Sequence, residues 1–260
     1  MTASMLTPGR FTPQPGRATA VAMVRAAAAQ ELRIMARNGE QLVLAYLIPL
    51  AALIGMTTIS VGVLPVPRVA TVTPGVLALA IMSASFASQA IITGFDRRYG
   101  VMKRLAATGF PRWLLLASKC LATSVVIIAQ FLLLCLVAWL AFNWQPKGNP
   151  LWAVLVTVLG IAAFIGLALL LGGTLRAEAV LGLTNVVWLF LVGIGGVLIP
   201  LTSAPDWLQT VGGLTPAGAL SNGLRAVLTD GGGPGATNIV ILVCWIALGW
   251  AGTVRWFRWQ

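Results

Sequence analysis

The stretch Phe95–Trp113, FDRRYGVMKRLAATGFPRW, sets five cations (Arg97, Arg98, Lys103, Arg104 and Arg112) against one acid, Asp96, between two long apolar runs. A Lys or Arg at the centre of a bilayer costs about 2.5–3.5 kcal/mol on an insertion scale, so a cluster this dense sits in water or against a polar partner. The flanking runs, Pro74–Gly94 and Cys120–Phe142, are each long enough to cross the hydrocarbon, which takes about 20 apolar residues. The chain therefore leaves the membrane, makes a basic turn and goes back in. This reading makes the fold a bundle of membrane-crossing helices.

Composition agrees. The 260 residues are 58% hydrophobic and 9% charged, with mean hydropathy +0.92, where a soluble domain carries about 25% charged residues. The net charge of +11 does not point to nucleic acid, because the cations are few and scattered between apolar runs. Topology explains them better. Arg dominates over Lys and Ala and Gly abound, which fits a GC-rich bacterial genome. Histidine is absent, which weakens metalloprotease, haem-ligand and Ser-His hydrolase readings together. Cys120, Cys135 and Cys244 lie inside apolar runs and read as small buried hydrophobes, not as metal ligands or disulfide partners. The polar, Pro-rich residues 1–18 read as a disordered cytoplasmic arm.

Working outward, six runs qualify as spans: Leu42–Val63, Pro74–Gly94, Cys120–Phe142, Leu151–Gly172, Ala179–Pro200 and Ile239–Val254. Of the 17 Lys and Arg residues, Arg68, Lys147 and Arg225 fall on one side, and all the others on the opposite side. The positive-inside rule then puts both termini in the cytoplasm. No charge falls mid-span, which argues for an energy source outside the spans. Lys119, at the cytoplasmic end of its run, is expected to snorkel. Ala20–Gln41 reads as an amphipathic helix with a stripe of Val21, Val24, Ala28, Leu32 and Met35. It is either an interfacial helix or a topogenic anchor.

The segment 201–238 predicts two short external helices that either dip into the outer leaflet or cap the bundle. Trp207 anchors the first. Thr215-Pro216 caps the second, Leu220 and Leu224 fall on its apolar face, and Asp230–Gly235 stops it. Ser85, Ser88 and Gln89 share one face of the second span by helical spacing. With Gln130 and Asn185 they either line a polar-tolerant path or pack helices together, since small and polar residues do both. A serine nucleophile would have neither base nor orienter here. No phosphate-cradling GxxxxGK[ST] stretch is present, so the chain reads as a non-catalytic membrane subunit.

Inside Phe95–Trp113, the order acid-Arg-Arg-x-Gly-x-x-Lys-x-Leu followed by Pro resembles the cytoplasmic signature loop of ABC type-2 export permeases. The matching residues are Asp96, Arg97, Arg98, Gly100, Lys103, Leu105 and Pro111. The family more often has Glu at the acid and Thr or Ser after the Gly, where this chain has Asp96 and Val101. The likeness extends to the N-terminal amphipathic helix, the six spans and the paired external helices. It implies an all-α permease domain over residues 19–260, in a homodimer or heterodimer surrounded by lipid, moving a drug, antibiotic or lipid-like amphiphile outward. It further implies a separate ATPase subunit that binds ATP and Mg, this chain binding no cofactor. The residues above, with Arg104, would form a coupling helix docked on that ATPase. Trp207, Leu220 and Leu224 would belong to an external gate. Polysaccharide or glycolipid export, and a non-transporting scaffold that recruits a cytoplasmic partner, remain the alternatives.

Overall fold

The computed structural model describes residues 18–37, 39–59 and 67–257, and for 40–44, 106, 112 and 203 the backbone alone. Among these residues there is no strand. Helix α1 (Ala20–Arg37) precedes α2 (Gly39–Thr58), and α3 (Arg68–Met82) runs through a π-helical turn (Ser83–Ser88) into α4 (Gln89–Arg98). The short α5 (Val101–Ala107) leads to α6 (Arg112–Phe142), α7 (Pro150–Thr174) and α8 (Ala177–Ile194). Then come α9 (Asp206–Leu214), α10 (Pro216–Leu228) and α11 (Ala236–Trp256). The disordered arm predicted for 1–18 lies almost wholly outside the described residues, as does the end of the first predicted span.

Among the described residues five helices are long and apolar enough to cross a membrane: Arg68–Arg98, Trp113–Phe142, Pro150–Thr174, Ala177–Ile194 and Ala236–Trp256. Helix α2, which holds most of the first predicted span, is apolar over the shorter stretch Ala45–Thr58. The helix Arg68–Arg98 has 31 residues, about 46 Å at 1.5 Å per residue, against a hydrocarbon core of about 30 Å. It overruns the predicted Pro74–Gly94 at both ends and carries Asp96, Arg97 and Arg98 on its last turn. Likewise α6 starts at Arg112 instead of Cys120, which puts Lys119 two turns inside a helix. The predicted fifth span is too long: α8 ends at Ile194, where Gly196 takes a positive φ of 58° that side-chain-bearing residues avoid.

Helix α3 is the core. Val69 and every residue from Thr71 to Met82 are buried, so it shows no amphipathic stripe. Small residues set the close approaches around it. A Cβ on Gly249 of α11 would come within 2.9 Å of the Gly166 carbonyl carbon on α7, and Thr253 Oγ donates to Gly166 O at 3.0 Å. Backbones meet there as small residues allow in membrane helices.

The external helices differ from expectation in one respect. Thr215 does cap α10, accepting from Gly218 N–H at 3.0 Å, with Pro216 at the first helical position. However, α10 does not cap the bundle, one of the two placements expected of it. It is wedged into it, with Leu220 and Leu224 fully buried and Leu220 against Gly160 of α7. Arg225, also buried, donates to Val197 O and to Ser221 Oγ. Burial pushes its guanidinium down to about 10, still far above neutral, so it stays charged. Trp207 on α9 is exposed. The three residues predicted for an external gate are therefore split between a surface helix and a core wedge.

Candidate functional site

Phe95–Trp113 is not a loose loop. Helix α4 carries it to Arg98, Gly100 turns the chain at φ 69°, and α5 follows before Pro111 starts α6 in an extended conformation. The sequence reading sets Val101, Leu105 and Ala106 toward the membrane and Arg97, Arg98, Lys103 and Arg104 outward on one amphipathic stretch. The turn at Gly100 breaks that phase. On α5 it is Met102 that is buried, while Val101, Lys103 and Arg104 are exposed. The helix buries Met102, half-buries Leu105 and shows two cations to its surroundings.

The first two charged signature residues point into the protein. Arg97 Nη1 donates to Gly172 O at 2.8 Å and to Leu175 O at 3.0 Å. These carbonyls end α7, where four acceptors lack helical partners and the helix dipole is negative, so a guanidinium is well placed there. Asp96 accepts from Lys119 Nζ at 2.8 Å, and the same ammonium donates to Glu31 of α1 at 2.7 Å. Lys119 is 1% exposed. It does not snorkel, because two carboxylates from neighbouring helices satisfy it in place. Glu31 was not visible as a site residue. On a polar helix face one acid signals nothing until its partner is known.

Arg98 pairs with Glu178 on the first turn of α8. Both side chains are more than half exposed, so the pair adds little to stability. Around it lies a cleft of about 380 Å³ lined by Arg97, Arg98, Gly100, Lys103, Arg176 and Glu178. Its rim carries four cations and one acid. Arg104 Nη2 folds back onto Tyr99 O at 3.1 Å, and Leu105 is half-buried.

A second cavity, of about 350 Å³, lies further along the same helices, and none of the described residues that line it is charged. Its walls include Met35, Pro49, Ser83, Ser88, Gln130, Asn185 and Trp188. Of the five residues predicted for a path, Ser88, Gln130 and Asn185 meet here. Ser85 and Gln89 do not: both are fully buried, and Ser85 Oγ donates to Ile81 O of its own helix. The i, i+3, i+4 rule assumes an α-helix, whereas Ser83–Ser88 is a π turn with i→i+5 pairing, which changes the angle between Ser85 and Ser88. The turn also presents Ser83, whose Oγ accepts from Trp188 Nε1 at 3.1 Å.

Gln130 has a further role. Pro49 lacks the N–H that would bond Ala45 O inside α2. Gln130 Nε2 supplies that donor across helices at 3.0 Å, as backbone away from water requires.

The family model described as ABC-2 type transporter matches residues 23–229. The chain belongs to that family. The match runs from α1 past the end of α10, so it covers the Lys119 cluster, the basic cleft and the second cavity. The chain is also similar to "Putative transport permease YvfS" of Bacillus subtilis (strain 168), at 26% identity over 175 residues, covering 65% of this chain and 69% of that one. As an ABC-2 protein with several apolar helices of spanning length, it is a membrane transporter subunit.

Proposed function

We propose that this ABC-2 chain is the permease subunit of an ATP-driven exporter for amphiphilic molecules such as drugs, antibiotics or lipid-like compounds. It spans the plasma membrane six times, with α2 as the first span and both termini in the cytoplasm. It works as a homodimer or heterodimer, and a separate ABC ATPase subunit binds ATP and Mg. The observation that carries this reading is the cavity whose described lining has no charge, walled by Met35, Pro49 and Trp188 with Ser83, Ser88, Gln130 and Asn185 as its polar residues. An apolar wall with a few neutral hydrogen-bonding groups suits an amphiphile and has nothing to neutralise a polyanion.

Energy would arrive through α5. Lys103 and Arg104 are its exposed cations, and they would meet acidic side chains of the ATPase. Asp96 and Arg97 would fix that helix rigidly to α1, α6 and α7, so that displacement of α5 moves the walls of the cavity. Trp207 on the exposed α9 would belong to the outward side, with Leu220 and Leu224 holding the wedge beneath it.

The test is co-purification with an ATPase and measurement of ATP hydrolysis as amphiphiles are added. Stimulation by amphiphiles, abolished in Ser88→Leu/Asn185→Leu, supports the reading. A chain that associates with no nucleotide-binding subunit, or a complex indifferent to every amphiphile, overturns it.

A further inference from the structure

The Lys119 cluster and the cavity use the same three helices. Helix α1 contributes Glu31 to the cluster and Met35, one turn further on, to the cavity wall. Helix α4 contributes Asp96 to the cluster and Ile91 to the wall, and α6 contributes Lys119 and, two turns on, Val126. The ion pairs thus cross-link three walls at one end of the cavity, next to the segment that leads into α5.

A buried ammonium between two carboxylates has two stable arrangements, closed and bonded or open and hydrated. The half-made state strands a charge away from water, which is unfavourable. The carboxylates keep partial access to water, 16% for Glu31 and 26% for Asp96, whereas Lys119 keeps 1%. Opening is therefore a matter of letting water reach one ammonium. We propose that Glu31, Lys119 and Asp96 form a latch that closes this end of the cavity, and that α1 is released from α6 when α4 and α5 are displaced. Glu31 then belongs to the transmission machinery as a positioning residue, although it lies far in sequence from Phe95–Trp113. The proposal rests on the transport reading above for its purpose, though not for its geometry.

Cys120 adjoins Lys119 and is half-buried, which makes it a native reporter of opening. In a Cys135→Ser/Cys244→Ser background, the rate of Cys120 labelling by a water-soluble maleimide is measured on the purified full-length permease. Glu31→Gln keeps the shape and removes one charged acceptor. A hydrogen bond between two charges is roughly twice as strong as one to a neutral acceptor, a difference that shifts an opening equilibrium by about tenfold, so labelling accelerates by about that factor. In the complex with its ATPase, the same variant transports less per ATP hydrolysed, while the yield of complex is unchanged.

Labelling equal to that of the parent overturns the latch. So does faster labelling with an unchanged ratio of transport to hydrolysis, which is what a merely structural bond would give. If the parent permease never associates with an ATPase, the export reading fails on its own. Labelling, read on the permease alone, still decides whether the latch opens.

Discussion

Lys119→Met is the perturbation whose effect can be worked furthest. Its Nζ lies 2.7 Å from Glu31 and 2.8 Å from Asp96. At an effective dielectric constant of about 20, each contact is worth about 6 kcal/mol of gross attraction. Desolvating the three groups offsets most of this at several kcal/mol per ion, so the intact cluster contributes little net stability. Removing only the cation is different, because it leaves two carboxylates close together and mostly out of water. Breaking a buried pair costs about 3–5 kcal/mol. Residual exposure of both acids puts the expectation at the lower end, about 3 kcal/mol. The assay is unfolding in mixed micelles followed by tryptophan fluorescence, to which the chain's 10 tryptophans contribute. The control is Lys119→Met/Glu31→Gln/Asp96→Asn, which removes the stranded charges as well and recovers most of the loss. If the triple variant is as unstable as the single one, packing around Lys119 and not charge compensation is what holds these helices, and the reasoning is refuted.

Three further outcomes are expected. In a double-mutant cycle, Gln130→Leu destabilises the parent but costs about 1 kcal/mol less in a Pro49→Ala background, because the restored helical N–H satisfies Ala45 O; additive losses would contradict this role for Gln130. Gly249→Leu, whose Cβ would come within 2.9 Å of α7 backbone, separates α7 from α11 and lowers the folded yield in membranes, whereas Gly182→Leu, with nothing within 4 Å, leaves it unchanged. Asp96→Ala/Arg97→Ala abolishes transport with insertion intact, while Lys103→Ala/Arg104→Ala lowers ATPase association measured by co-purification. Equal effects of the two pairs on association would refute the inward and outward division of the segment.

The helical class, five of the six predicted spans and the basic segment were legible in the chain itself. Apolar runs of about 20 residues have one stable structure in a bilayer, and charges have one cheap place to be, so composition and spacing suffice. The cap at Thr215-Pro216 was legible for the same kind of reason, since it depends on neighbours in sequence. Of the five residues read as lining a path or packing helices, three share one cavity wall. Ser88, Gln130 and Asn185 come together, but Ser85 and Gln89 part from them because a π turn changes the helical angle, and no residue pattern announced that turn.

Sequence by itself determined which stretches are apolar enough to cross a membrane and that Phe95–Trp113 concentrates charge between two of them. Only tertiary structure decided which way those charges face. Asp96 and Arg97 turn inward because their partners, Lys119, Gly172 and Leu175, arrive from helices far along the chain, and a charge's orientation depends on what it can reach. The same holds for α10. Its apolar face was visible, but burial in the core required Gly160 and Gly75, small residues on other helices, to make room. Local chemistry writes the elements, and long-range complementarity chooses their partners.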